Sequence, residues 1–368
     1  MFAGVGGFRA GLDLAGGFQC IGHCEIDKYA DASYRAIHAP GKEEVYYPDA
    51  RTIDPKELPD FDLLCGGFPC QAFSTAGRRK GFEDARGTLF FELARVVKEK
   101  RPLYLFLENV PGLLSHDRGR TFGVILSALY DLGYHVEWTV LNSKHFGVPQ
   151  SRRRLFLIGY LDPRCAGKIL PVFGTDAKAL VQIVHGRLGK RVYDSAGIAC
   201  TQDTSRQSGL YFVDLTKGDP KITANARCLH TRQDGSLTNF KGQNSGVLYI
   251  KEATKKGYKE AHEGDSIDLG FAGSNTRRGR VFAGVAHTVD TANTHGIVLR
   301  GGRVRRLMPR ECFRLQGFNE DQIDKILAIN SDAQAYKQAG NGVTVTVIEA
   351  IGRRIRAADA ELYAQESR

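Results

Sequence analysis

Along residues 1–160, short apolar runs alternate with stretches whose hydrophobic positions recur at helical spacing. That is the pattern of an α/β domain with a largely parallel sheet. The apolar runs predict strands at Phe18–Cys24, Asp62–Cys65, Leu103–Leu107, Val136–Leu141 and Leu155–Tyr160. Helices are predicted at Lys28–His38, Thr88–Lys100 and Thr121–Leu132. The second puts Leu89, Leu93, Val96 and Val97 on one face, as a helix covering a sheet requires. From about residue 165 to 300 the chain turns to Gly, Ser, Thr and Asn, with short β-like pieces such as Gly209–Val213 and Val247–Ile250. This reads as a separate, loop-rich, mostly β unit. Helical periodicity returns at Pro309–Leu315, Glu320–Asn330 and Val343–Ala357.

Composition narrows the class. With 42% hydrophobic and 10% aromatic residues among 368, the chain is neither disordered nor fibrous. It has no apolar run of about 18 residues and no signal-peptide layout, so a cytosolic, membrane-free protein is expected. Eight cysteines are scattered, and the pairs Cys20/Cys24 and Cys65/Cys70 lack the doubled short spacing of zinc sites. Free thiols and no metal are therefore expected. The net charge of +10 is unevenly spread: residues 161–310 carry +11, against +1 before them and −2 after. A positive field confined to one segment suits a polyanion, because neutralised phosphates release counterions. A solvated basic surface is the other reading.

The motifs add chemistry. Phe2-Ala3-Gly4-Val5-Gly6-Gly7 is a glycine turn running into a helix, where the backbone can approach a ligand closely. It is not the dinucleotide fingerprint, since Arg9 occupies the third glycine position; a plain tight turn stays open. Glu25, about 20 residues on at a strand end, is the residue type that binds ribose hydroxyls. Asp49 could accept from an adenine amino group or simply face solvent. In Asp62-Leu-Leu-Cys65-Gly-Gly-Phe-Pro69-Cys70-Gln71-Ala-Phe-Ser74, an apolar strand ends in glycines and a Pro-Cys pair follows at its carboxyl end. There Cys70 is a candidate nucleophile, a buried thiol being the bland alternative. Leu105-Phe-Leu-Glu108-Asn109-Val110 brings a carboxylate to the same sheet edge, where an apolar setting would raise its pKa. It could equally cap the next turn. Gln150-Ser-Arg152-Arg-Arg154 precedes a strand, so Arg152 and Arg154 are expected on one face, ready for a phosphate or a base edge.

In their order these segments closely resemble the bacterial DNA cytosine-5 methyltransferases. The likeness runs through nearly all of 1–160 and again about 303–352. It extends to Gly81-Phe-Glu-Asp-Ala-Arg-Gly-Thr-Leu89, Arg306-Leu-Met-Pro-Arg-Glu311-Cys-Phe-Arg-Leu-Gln-Gly-Phe318 and Gly340-Asn-Gly-Val343. The resemblance implies a Rossmann-like α/β catalytic domain over 1–172 and 331–368, with a smaller, mostly β target-recognition domain over 173–330. It implies S-adenosylmethionine as methyl donor, held by Phe2, Ala3, Gly4, Gly6, Gly7, Glu25, Ile26, Asp49, Ala50, Leu89, Asn341 and Val343. Cys70 would add to carbon 6 of a flipped-out cytosine while Glu108 bonds ring nitrogen 3, and Arg152 and Arg154 would hold the base or its phosphate. Gln71, Ser74, Arg78, Asn109, Val110, Arg227 and Arg277 would contact double-stranded DNA, with Arg232, Arg278 and Arg280 as further candidates in the basic segment.

By the same resemblance the expected protein is a monomeric prokaryotic modification enzyme of the cytoplasm, near the nucleoid, and it leaves open a cognate restriction endonuclease. Two departures stand out. The family usually carries several more residues before Phe2-Ala3-Gly4, which bears on cofactor affinity, and Gly342 replaces a frequent Ser. The competing readings are a tRNA cytosine-5 methyltransferase of the same superfamily, a nicotinamide-dependent oxidoreductase, and a DNA-binding protein without catalysis.

Overall fold

A computed structural model describes residues 1–68, 89–172, 248–270, 276–292, 294–299 and 304–366, with the backbone of 210–211, 213–214 and 221–222. The chain opens on a turn in which Gly4 and Gly6 have φ of 56° and 87°, and enters α1 (Gly7–Ala15). Left-handed backbone of this kind is where glycine replaces other residues at least cost. β1 (Gly22–Cys24) and β2 (Val45–Tyr47) pair in parallel around α2 (Lys28–His38), as a β-α-β crossover requires. The strand expected from Phe18 is shorter because pairing starts only at Ile21, after Gly16 and Gly17 have turned the chain.

Next come β3 (Leu63–Gly67), α3 (Leu89–Lys100), β4 (Tyr104–Asn109), α4 (Arg120–Asp131), β5 (His135–Asn142) and β6 (Arg153–Tyr160). They form a sheet in the order β3-β4-β6-β5. β3 and β4 are parallel, but β6 is antiparallel to both neighbours. β3, β4 and β5 thus run the same way and β6 alone is reversed, so the expected largely parallel sheet carries one antiparallel strand. β5 and β6 are linked only by residues 143–152, too few for a parallel crossover. Residues 1–3 join the two sheets: the Met1 ammonium donates to Cys65 O at 2.7 Å, and the Ala3 amide to Cys24 O at 3.0 Å.

The central segment contributes β7 (Leu210–Tyr211), β8 (Val213–Asp214), β9 (Lys221–Ile222), β10 (Leu248–Lys251), β11 (Tyr258–Ala261), β12 (Ser266–Asp268), β13 (Val281–Phe282), β14 (His295–Val298) and β15 (Val304–Arg306). All their pairings are antiparallel, in sheets ordered β11-β10-β7 and β13-β12-β14-β15 with β8–β9 apart. α5 (Pro309–Leu315), α6 (Glu320–Ile329), α7 (Asp332–Asn341) and α8 (Val345–Glu366) follow. α7, which the periodicity did not predict, starts where the Ser331 side chain accepts from the Gln334 amide.

Helices cover both faces of the four-stranded sheet. Leu93 and Val97 of α3 and Ile125 and Leu129 of α4 pack with Leu105, Leu107 and Leu157. Phe8 and Leu12 of α1, with Ile348, Ile351 and Ile355 of α8, pack with Phe106, Phe156 and Ile158. A third cluster joins Phe313, Ile323 and Ala335 of α5–α7 to Val5 and Ala10. Residues 309–329, which the sequence groups with the small unit, therefore share a core with the first turn and α1.

Candidate active site

The carboxyl ends of β3 and β4 coincide, with Gly67 opposite Glu108. A methyl group on Gly67 would come within 3.0 Å of Glu108 Oε2, so glycine here lets the carboxylate lie across the end of β3. The chain then passes through buried Phe68, whose carbonyl accepts from Asn109 Nδ2 at 2.9 Å. Asn109 Oδ1 accepts from the Val110 amide at 2.8 Å, so this side chain ties the exit of β3 to the end of β4. Val110 beside it is exposed. Because β6 runs antiparallel, its beginning reaches the same edge: Leu155 pairs with Asn109, and Arg154 Nε lies 2.9 Å from Glu108 Oε1. Burial pushes the Glu108 carboxyl above its usual range, and Arg154 and then Arg152 pull it back. Burial likewise lowers the Arg154 guanidinium, opposed by Glu108. A buried acid in contact with a cationic side chain is suited to sharing a proton with a ring nitrogen.

Arg152 is placed differently, and this corrects the expectation that it holds the base. It is 1% exposed, and its guanidinium donates to Val289 O at 3.1 Å, Gly340 O at 2.9 Å and Gly342 O at 2.6 Å. Gln150, fully buried, donates to Leu315 O at 2.7 Å and accepts from the Val289 amide at 3.2 Å. Ser143 Oγ and Thr344 Oγ1 meet at 2.7 Å, and Thr344 donates to Gln316 Oε1 at 3.0 Å. The Ser151 amide donates to Ala286 O and the Ala286 amide to Pro149 O. These bonds make a buried polar joint between residues 143–152, the 286–289 stretch and the C-terminal segment.

The second half of the site surrounds the glycine turn. Glu25 accepts from the Gly4 amide at 2.7 Å and the Asp27 amide at 2.8 Å, leaving lone pairs on both oxygens for further donors. Ile26, between them, is 68% exposed, an apolar face of the kind a flat ring covers. Asp49 caps the following turn and holds Arg51 at 2.6 Å; that side-chain bond, with the Arg51 amide, lowers its pKa. Ala50 is buried, Phe2 has φ of 56°, and Leu89 opens α3. From the far end of the chain, Val343 packs on Gly7, where a methyl group would lie 2.8 Å from Val343 Cγ2. Asn341 is exposed at the end of α7. A Cβ at Gly4 would meet no heavy atom within 4 Å. The open Gly4, the free carboxylate lone pairs and the exposed Ile26 fit an adenosyl cofactor. Two residues that sequence reasoning missed support this corner: Tyr46, whose hydroxyl donates to Glu25 O at 3.1 Å, and Lys337, which pairs with Asp27 at 2.7 Å. Neither belongs to a motif, so only tertiary structure reveals them.

In the basic segment, Arg277 donates to Gly270 O at 3.1 Å and pairs with Asp268 at 3.2 Å, and Arg278 reaches Ala253 O. Arg280 is buried, bonded to Asp268 O and Lys251 O, which corrects its expected role at phosphates or bases. Cys70, Gln71, Ser74, Arg78, Arg227 and Arg232 lie outside the described residues. No described helix is long and apolar enough to cross a membrane.

Known proteins match this chain over nearly all of its length. The sequence profile of the C-5 cytosine-specific DNA methylases matches residues 1–357. Type II methyltransferase M.HpaII of Haemophilus parainfluenzae is 34% identical over 99% of this chain and 90% of its own. Orphan methyltransferase M.SPRI of Bacillus phage SPR is 32% identical over 96% of each. Among solved structures, Dnmt2 methyltransferase of S. pombe shares the fold at a TM-score of 0.53 and 16% identity, over 98% of this chain and 97% of its own. The chain belongs to the C-5 cytosine-specific DNA methylase family, and its activity is that of a DNA (cytosine-5-)-methyltransferase.

Proposed function

We propose that the protein methylates carbon 5 of cytosine at one short sequence in double-stranded DNA, as the modification enzyme of a restriction–modification system or a lone relative of one. The observation that carries this reading is buried Glu108, paired with Arg154, beside the strand end that leads directly to Pro69-Cys70. Carbon 5 of cytosine is a poor nucleophile. In the proposed mechanism the Cys70 thiolate adds to carbon 6 of a base taken out of the stack, while Glu108 hydrogen-bonds ring nitrogen 3. Electron density then gathers at carbon 5. Arg154 holds the Glu108 carboxylate in register, and Asn109, through Phe68 O, fixes where the Cys70 segment leaves β3. Loss of the carbon 5 proton and of the thiol restores the aromatic ring. When bound, S-adenosylmethionine supplies the methyl group. Glu25 would take its ribose hydroxyls, Ile26 and Asp49 its adenine, the amides of the glycine turn its polar end, and Asn341 and Val343 would close the site. Residues 173–330 would read the DNA, with Arg277 among the contacts and Arg227, Gln71, Ser74, Arg78 and Val110 completing the surface; a monomer suffices for this.

The test is methyl transfer from labelled S-adenosylmethionine to unmethylated genomic DNA, read by bisulfite sequencing, for wild type, Cys70→Ala and Glu108→Gln, with transfer RNA as a competing substrate. Methylation at one motif, abolished in Cys70→Ala and untouched by RNA, is the expected result. Transfer to the RNA instead would overturn the DNA reading.

A further inference from the structure

We propose that His23 is a positioning residue for the methyl donor, one that holds the glycine turn and the Glu25 segment in their binding arrangement. The inference rests on the reading that residues 2–7 and Glu25 bind S-adenosylmethionine. His23 stands on β1, two residues before Glu25, and is buried. Its Nδ1 is 3.0 Å from Glu44 Oε1 and its Nε2 2.9 Å from Asp31 Oδ1. Each ring nitrogen therefore stands within hydrogen-bond distance of a carboxylate oxygen, one on the loop before β2 and one on α2. The ring stacks on Tyr34 at 3.9 Å and packs on Tyr46 at 5.0 Å.

Those two tyrosines reach the donor-binding segments directly. Tyr46 donates to Glu25 O at 3.1 Å, and Tyr34 backs Gly6, where a methyl group would lie 2.8 Å from Tyr34 Cδ2. His38 backs the same glycine. The other charged and titratable neighbours complete one cluster. Tyr34 donates to Glu44 at 2.9 Å, Arg9 of α1 bonds Tyr34 and pairs with Glu44, and Cys20 Sγ lies 3.4 Å from the Tyr34 hydroxyl. Arg35 bonds Asp31 at 2.8 Å with its guanidinium over Tyr46, and Asp13 sits 3.8 Å from Arg9. His23 is the member that touches both tyrosines and both carboxylates, so its loss slackens both donor-binding segments together. Glu108 and Arg154 stand on β4 and β6, outside this cluster, so donor affinity should change while the chemical step does not.

The experiment compares wild type, His23→Phe, which keeps a ring but neither hydrogen bond, and His23→Gln, which keeps a donor. Steady-state transfer gives KM for the donor, KM for DNA and kcat; calorimetric titration with S-adenosylhomocysteine gives affinity without turnover. The expected result is about a tenfold rise in donor KM and in the calorimetric Kd for His23→Phe, a smaller rise for His23→Gln, and no change in kcat or DNA KM. Unchanged donor affinity in folded His23→Phe, or a fall in kcat alone, overturns the proposal. Should His23→Phe not fold, Tyr46→Phe, which removes only the hydroxyl on Glu25 O, decides: wild-type affinity there overturns it. A wild type that binds S-adenosylhomocysteine yet methylates no DNA defeats the proposed function, while the calorimetric comparison still rules on His23.

Discussion

Arg152 and Arg154 stand two residues apart, yet Arg152 bonds three main-chain carbonyls while Arg154 pairs with Glu108, the carboxylate of the proposed site. Replacing each by Met tests that division. Arg152→Met keeps an unbranched apolar stem and removes a guanidinium that serves Val289 O, Gly340 O and Gly342 O. A hydrogen bond from a charged donor contributes about 1.5–3 kcal/mol, so three set an upper bound near 9 kcal/mol. Against this, the variant no longer buries a cation, whose desolvation costs several kcal/mol. The net loss should fall at about 3–5 kcal/mol, because three buried carbonyls lose their donor at about 1–3 kcal/mol each while the cation's own desolvation cost is relieved. That is a large share of a domain's typical ~5–15 kcal/mol, so the urea midpoint should drop visibly. Arg154→Met removes the counter-charge of Glu108 instead. With its carboxyl already raised by burial, Glu108 can take up a proton, which limits the stability loss to about 1–2 kcal/mol. Methyl transfer should fall at least ~100-fold, the scale for losing control of an acid–base group. Both variants are measured by urea unfolding and by transfer per folded molecule. If Arg152→Met keeps the wild-type midpoint and loses transfer as completely as Arg154→Met, the scaffold role is wrong and Arg152 serves the substrate.

Gly67→Ala should lower kcat about tenfold with less than about 1 kcal/mol lost in stability, because its methyl group would press on Glu108 Oε2 at 3.0 Å and move it by a few tenths of an ångström. Single-turnover kinetics check this, and an unchanged rate refutes it. Since burial raises Glu108 above its unfolded value, its protonated form favours the fold and that contribution fades as pH rises from about 4.5 through the folded pKa. The stability of wild type relative to Glu108→Gln should therefore fall with rising pH across that window, and a flat difference in urea midpoints refutes it. His287, its pKa lowered to about 4 by burial and then by His295, works in the opposite sense: its neutral ring sits between the Ser266 hydroxyl and Gly279 O, and stability is lost as pH falls from 6.5 to about 4. His287→Gln should flatten up to about 3 kcal/mol of that acid slope.

Strand and helix positions in the first 160 residues were legible because buried strands and sheet-covering helices leave unambiguous hydrophobic periods. Strand direction was not, since no side-chain pattern records whether β6 runs with or against β4; only the ten-residue link to β5 hints at it. The error over Arg152 has a similar cause. Side-chain alternation holds only inside a strand, and β6 begins at Arg153. Arg152 lies just before it, its amide bonded to Gln150 O at 3.0 Å, so it is free to point into the joint while Arg154 obeys the alternation. The positions of Glu108 and Glu25 were readable because each falls at the carboxyl end of a strand, Glu108 one residue before the end of β4 and Glu25 one residue past β1. Tyr46, Lys337 and His23 were not, because their partners lie on other elements and none carries a motif. Arg280 misled for a general reason: a positive charge count cannot tell a solvated arginine from one bonded to main-chain carbonyls.

The joint also links the proposed donor site to the basic unit, which the motifs present as separate. Arg152 grips Val289 O on one side and Gly340 O and Gly342 O on the other. The first belongs to the stretch leading into β14 of the basic unit; the others flank Asn341 and adjoin Val343, which packs on Gly7 of the donor turn. Were the basic unit to shift on binding DNA, the shift would bear on the wall of the proposed donor site through one buried side chain. Linkage then requires that DNA alter the affinity for S-adenosylhomocysteine by the same factor as S-adenosylhomocysteine alters the affinity for DNA, typically about 5–150-fold when coupling is real. Calorimetry of each ligand with and without the other measures both factors. Arg152→Lys, which keeps the charge but cannot span three carbonyls, should bring both factors toward one. Donor-product affinity that is identical with and without a methylatable DNA duplex in the wild type would show that the joint transmits nothing and only holds the fold together.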